Sequence, residues 1–178
     1  MKSKLVWLTR TAALLALLIA LQAGTKPFGQ LVTGSCVNCV LALAALLVGL
    51  SSGAVVALLS PFFAFLLGVG PQLFPIVPAI AVGNLTLVLL LNLLCGRKDT
   101  APLRSVLGWL LASAGKSLTL YLLIVQLLCR ILTLKPQQVA LFTAMFSWTQ
   151  LVTALVGSGL ALLLSVVLKK ALHHADRS

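Results

Sequence analysis

Apolar residues run along this chain in long blocks, separated by short stretches rich in glycine, proline, serine and charge. Blocks of this length exceed ordinary strands, and an apolar run approaching about 20 residues is long enough for a membrane-spanning helix. The pattern predicts six helices, over residues 5–23, 36–50, 54–69, 76–94, 105–129 and 137–168. In the first connection, "GTKPFGQLVTGS", Gly24, Pro27 and Gly29 break helix. "SSG" at Ser51 to Gly53 predicts a tight turn. The third segment is short and contains Pro61, which predicts a kink or a tilt. "GPQLFP" leads to the fourth helix, whose first turn tolerates Pro78. "CGRKDTAPLR" is the most polar connection, Pro136 opens the sixth helix, and "KKALHHADRS" is a polar tail. The expected fold class is an all-α membrane protein, with residues 1–178 as a single integral-membrane domain.

Composition agrees with the pattern. Of 178 residues, 61% are hydrophobic and 8% are charged. A soluble domain of this size cannot hide so much apolar surface, so lipid is part of the solvent. The formal charge of +11 suggests nucleic acid at first, but the basic residues are scattered between apolar runs rather than gathered on a polar face. The positive-inside rule accounts for them. With the N- and C-termini cytoplasmic, the inside carries Lys2, Lys4, Arg10, Arg97, Lys98, Arg104, Lys169, Lys170 and Arg177. The outside carries Lys26, Arg130 and Lys135, and Lys116 lies within the membrane. Lys2 and Lys4 ahead of an apolar run that ends in "LQAG" resemble a signal peptide, but Arg10 and the length of the run favour a retained helix.

Candidate chemistry is sparse. Cys36 and Cys39 form a C-x-x-C pair, yet zinc needs four ligands and the histidines, His173 and His174, stand far off in the tail. No metal or other cofactor is expected, and these cysteines read as small apolar side chains. No G-x-x-x-x-G-K-[ST] loop is present, so any ATP hydrolysis belongs to another chain.

Lys116 is the sharpest feature. It sits in "LASAGKSLTLYLLIVQLLCR", about 16 Å from the cytoplasmic end of its helix at 1.5 Å per residue. On an α-helical wheel Trp109, Ser113, Thr119, Gln126 and Arg130 fall within about 80° of it. Polar side chains in a bilayer turn toward the bundle interior, so this face is expected to look inward. A lysine at that depth costs about 2.5–3.5 kcal/mol. The only acidic residues, Asp99 and Asp176, lie outside every predicted span. Two states remain open, a neutral amine or an ammonium in a polar cavity that an anionic ligand enters, and the rival to a ligand role is hydrogen bonding to backbone carbonyls or to asparagines such as Asn84 and Asn92. On the sixth helix Thr143, Ser147 and Gln150 share a face, continued by Ala154, Gly157 and Ala161, where small residues allow close helix packing. On the first, Ala12, Ala16 and Ala20 form a smooth stripe at four-residue spacing.

The stripe at Ala12, Ala16 and Ala20, together with "LLSPFFAFLLG", "PAIAVGNLTLVLL", "GKSLTLYL" and "FSWTQLVTALVGSGLALLL" in that order, resembles the substrate-binding membrane subunit (S component) of energy-coupling factor (ECF) transporters. The resemblance covers nearly the whole chain. It implies a subunit in a prokaryotic plasma membrane that captures a vitamin or related micronutrient from outside. It implies two further kinds of partner, a transmembrane coupling subunit and two ATPases. By position it selects Asn84, Lys116, Gln126, Ser147 and Trp148 as pocket residues from helices four to six. It selects Gln30 and Gln72 as lid contacts, and the alanine stripe as the face that docks on the coupling subunit. Lys116 points to a carboxylate or a phosphate on the ligand.

Three rival classes remain, of which a structural or assembly membrane protein would leave Lys116 unexplained. A self-contained secondary transporter or channel needs its own coupling group, and no acidic residue falls in a predicted span. An intramembrane enzyme would need a Ser–Lys dyad from Ser113 or Ser117 with Lys116, but no oxyanion motif accompanies either serine. The expectation is a protein that is not an enzyme.

Overall fold

The computed structural model describes residues 2–96 and 102–175. Arg97, Lys98, Asp99, Asp176 and Arg177, on which part of the charge reading rests, lie outside the described residues. Helices make up the fold, and no strand occurs among the described residues. They are α1 (Lys2–Thr25), α2 (Gly29–Leu43), α3 (Leu50–Leu66), α4 (Ile76–Cys95), α5 (Pro102–Leu120), α6 (Pro136–Phe146) and α7 (Trp148–Ala175). A 3-10 turn, Lys26–Phe28, joins α1 to α2. α2 runs on through a wide π-helical turn, Ala44–Val48. α5 likewise continues through a π-helical stretch, Tyr121–Leu128, and a last turn, Cys129–Ile131.

Four helical stretches are long and apolar enough to cross a membrane: Lys4–Val48, Ile76–Cys95, Pro102–Ile131 and Pro136–Leu168. The first, at 45 residues, folds back at Pro27–Gly29, so that α1 packs against α2. Gly29 takes φ 80° there, a left-handed conformation that favours glycine. α3, at 17 residues, is shorter than a usual span.

Several boundaries differ from the sequence reading. Gly24, expected to break helix, lies inside α1, and α2 begins at Gly29 rather than at 36, with Gly34 inside it. The bare Cα of Gly34 lets Thr153 of α7 approach; a Cβ there would stand 3.0 Å from the threonine methyl. The turn before α3 lies at Gly49, with φ 118°, and not at "SSG". Ser51–Gly53 is already helical, with Gly53 pressed against the backbone of Ala45 and the side chain of Val88. Ser51 and Ser52 accept hydrogen bonds from Trp7 Nε1 (3.1 Å) and Thr11 Oγ1 (2.8 Å), which tie the start of α3 to α1. α3 continues through Pro61 and ends at Leu66, and the expected sixth helix breaks at Ser147 into α6 and α7.

α2 is the central helix. It packs on α1, α4 and α7. Its core mixes small side chains, Ala42, Ala44, Ala45, Ala57, Ala112 and Ala161, with large ones, Leu18, Leu41, Leu87 and Leu91, all buried. Other large apolar side chains face outward, Leu66 at 77% exposure and Leu163 at 72%. Small residues at helix contacts and an apolar outer surface suit helices that pack in lipid. The face continued by Ala154, Gly157 and Ala161 is such a contact, buried against α2. A Cβ at Gly157 would collide with Ser35 O and with the backbone of Cys39. Gly157→Leu is therefore expected to destabilise the protein by about 1–3 kcal/mol or more. A lower melting temperature on heating in detergent checks this, and an unchanged one would remove the contact from the core.

Candidate functional site

The deepest polar cluster forms where α2, α3, α4, α5 and α7 meet. Lys116 of α5 is 3% exposed. Its Nζ donates to Asn38 Oδ1 at 2.5 Å and to Asn84 Oδ1 at 2.7 Å. Each asparagine is held in turn by its own amide nitrogen. Asn38 Nδ2 donates to Thr153 Oγ1 (3.3 Å), and Asn84 Nδ2 donates to Ser60 Oγ (3.2 Å). Thr153 passes its proton on to Gln150 O at 3.2 Å. These bonds fix which end of each amide faces the lysine. A hydrogen bond to a charged group contributes about 1.5–3 kcal/mol, so two are enough to offset the burial of an ammonium.

The cluster forms part of the wall of a cavity of about 80 Å³. Polar lining comes from Gln22 of α1, Gln30, Thr33 and Asn38 of α2, Asn84, Lys116 and Gln150. Apolar lining comes from Val37, Pro61, Ala64, Phe65, Val77, Ile80 and Phe146, and the connection after α3 adds Val69, Gly70 and Pro71. Gly68 and Gly70 take positive φ in that connection. Lys26 Nζ donates to Leu67 O at 3.2 Å, which ties the α1–α2 turn to the end of α3. A cation at a helix C-terminus suits both the free carbonyl and the helix dipole.

Of the residues selected from sequence, Lys116, Asn84 and Gln30 are brought together at this cavity. Gln126, Ser147, Trp148 and Gln72 are not among its lining. Gln126 lies in the π-helical stretch, where each residue advances fewer degrees about the axis than in an α-helix. The wheel that placed it beside Lys116 does not apply past Leu120. Its side chain donates to Tyr121 Oη (2.7 Å), one wide turn back, and accepts from Arg130 (2.6 Å). Ser147 accepts through its backbone oxygen from Ser117 Oγ (3.3 Å), Trp148 is 63% exposed, and Gln72 is exposed. Asn92 bonds the neighbouring helix at Ala45 O (3.3 Å). The hydroxyls of Ser113 and Ser117 engage Ser158 and Ser147 respectively, while the amine of Lys116 is taken by asparagines.

Sequence reasoning did not reach Asn38, Gln22 or Gln150 as site residues. Asn38 stands between Cys36 and Cys39, which drew attention as a metal pair; no metal-binding cluster occurs among the described residues. A lone amide in an apolar run was the signal available, the same one that marked Asn84.

On the outside of the bundle, Ala12, Ala16 and Ala20 are exposed, while Thr11, Leu18 and Gln22 on the other face of α1 are buried. The stripe is not consumed by packing within the chain.

A family model described as ECF transporter, substrate-specific component, matches residues 7–169. The chain belongs to that family. No curated protein and no solved structure matches it. As an ECF substrate-specific component it is a multi-pass membrane protein and a substrate-binding subunit of a transporter rather than an enzyme.

Proposed function

We propose that this ECF substrate-specific component captures a vitamin or related micronutrient from outside a prokaryotic cell and releases it inward after docking on a coupling subunit that is driven by two separate ATPases. The cavity around Lys116 carries this reading: a buried ammonium held by amides, with no acidic side chain among the described residues, is a costly arrangement that a ligand gives a purpose. The whole chain acts as one membrane domain with six crossings. α1, α2 with its wide turn, α3, α4 and α5 with its continuation supply five, and α6 with α7 supplies the sixth. The positive-inside rule sets both termini in the cytoplasm. In that orientation the end of α1, the start of α2 and the connection after α3 lie at the outer face. Gln22, Gln30 and Val69 to Pro71 then form the rim, with Lys116 deeper.

The exposed alanine stripe supplies the docking face. Ala16→Trp is expected to prevent co-purification with the coupling subunit and to leave ligand affinity unchanged. Survival of the complex would remove the stripe from the interface. The reading as a whole is tested in proteoliposomes. The lone subunit should hold ligand without moving it, and uptake should appear only with the coupling and ATPase subunits present. Uptake by the lone subunit on a proton gradient would instead establish a secondary transporter.

A further inference from the structure

Gln22, near the end of α1, is 3% exposed and lines the cavity. Its Nε2 donates to Ser60 O at 3.4 Å. Its Oε1 receives no hydrogen bond, and it is the one buried side-chain nitrogen or oxygen so left among the described residues. Turning the amide over would set two oxygens against each other at Ser60, so Ser60 fixes the oxygen as the free end. Buried acceptors are rarely left without donors, and this one belongs to a side chain in the cavity's wall, where a ligand's donor would satisfy it.

Ser60 also joins this acceptor to the lysine. Its carbonyl takes Gln22, and its hydroxyl takes Asn84, whose other end takes Lys116. An ammonium has three N–H groups, and Asn38 and Asn84 accept two of them. The third is left for the cavity. Lys116 is the single cation of the lining, and the chain's two carboxylates, Asp99 and Asp176, are both outside the described residues.

We infer that the cavity takes a small organic monoanion that also carries an N–H or O–H donor, with its oxyanion at Lys116 and its donor at Gln22 Oε1. This rests on the importer reading of the cavity and narrows the substrate class. One cation matches a carboxylate better than the double charge of a phosphate monoester. Phe65, Phe146, Val77 and Ile80 cover the apolar body between the two polar ends.

The test uses the full chain in lipid nanodiscs with three carboxylate probes of increasing bulk, each bearing an amide or ureido N–H: pyroglutamate, hydantoin-5-acetate and hippurate. Each is compared with its methyl ester and its N-methyl form by calorimetric titration and thermal shift. At least one acid should bind, its ester about 100-fold more weakly and its N-methyl form about 10-fold more weakly. In Gln22→Met the preference for N–H over N-methyl should vanish while the preference for acid over ester stays. The ligand-free Gln22→Met protein should also melt higher, which shows that it is folded. Binding of esters as tightly as acids, an N–H preference that survives Gln22→Met, or failure of all three acids would overturn the inference. ATP-dependent uptake of a neutral or cationic compound would overturn it and leave the importer reading intact. Acid binding without any ATPase-dependent uptake would do the reverse.

Discussion

Lys116→Met is expected to abolish the thermal shift given by the tightest carboxylate probe while moving the ligand-free melting temperature little. The magnitudes decide the second half. Removing the ammonium strands the Asn38 and Asn84 oxygens, which costs about 1–3 kcal/mol for each. It also removes a burial cost of about 2.5–3.5 kcal/mol. These nearly cancel. Binding has no such offset, because the oxyanion loses its one cation, and affinity should fall about 100-fold or more. Titration and melting of the same preparation check both parts. Collapse of the fold with unchanged affinity in the surviving fraction would make Lys116 a structural post.

Asn84→Asp should produce the same loss of binding by adding a negative charge instead of removing a positive one. Aspartate has nearly the shape of asparagine, and its oxygen would stand where Asn84 Oδ1 now lies, 2.7 Å from Lys116 Nζ. Ser60 Oγ, now an acceptor from Asn84, can turn its proton toward the new carboxylate. The lysine then has a counter-charge inside the chain. An incoming carboxylate must displace it or sit beside it, and affinity should drop about 100-fold. The ligand-free protein should melt no lower than wild type, since the pair is close and hydrogen-bonded. Unchanged affinity for the acid would show that the ligand does not meet Lys116.

Much of this arrangement is written in the spacing of polar residues. A lysine and an asparagine, each alone in an apolar run, are costly in lipid, and Lys116 and Asn84 do meet at a cavity. The alanine stripe is visible as strict four-residue spacing, and its exposure follows from the burial of Thr11 and Leu18 on the opposite face. What could not be read was helical pitch. Tyr121–Leu128 shows no sequence sign of its wide winding, and an α-helical wheel drawn through it does not give the side on which Gln126 lies. Nor could glycine be sorted by role. Gly49 turns the chain, whereas Gly34 and Gly53 let helices touch, and only the neighbours Thr153, Ala45 and Val88 tell them apart. Gln22 was hidden by its place at the end of a run, where a polar residue carries no penalty until the fold closes over it.

The shortness of α3 bears on how a ligand reaches the site. Its 17 residues extend about 26 Å at 1.5 Å per residue, short of a hydrocarbon layer of about 30 Å. A span shorter than its bilayer thins the lipid around it. If α3 spans in the proposed orientation, such a dimple would lie beside Val69 to Pro71 and bring the headgroups toward the cavity's rim. A polar solute would then meet water, not acyl chains, at the entrance. Access should accordingly be more sensitive to lipid chain length than the affinity of the site itself, with longer acyl chains slowing entry.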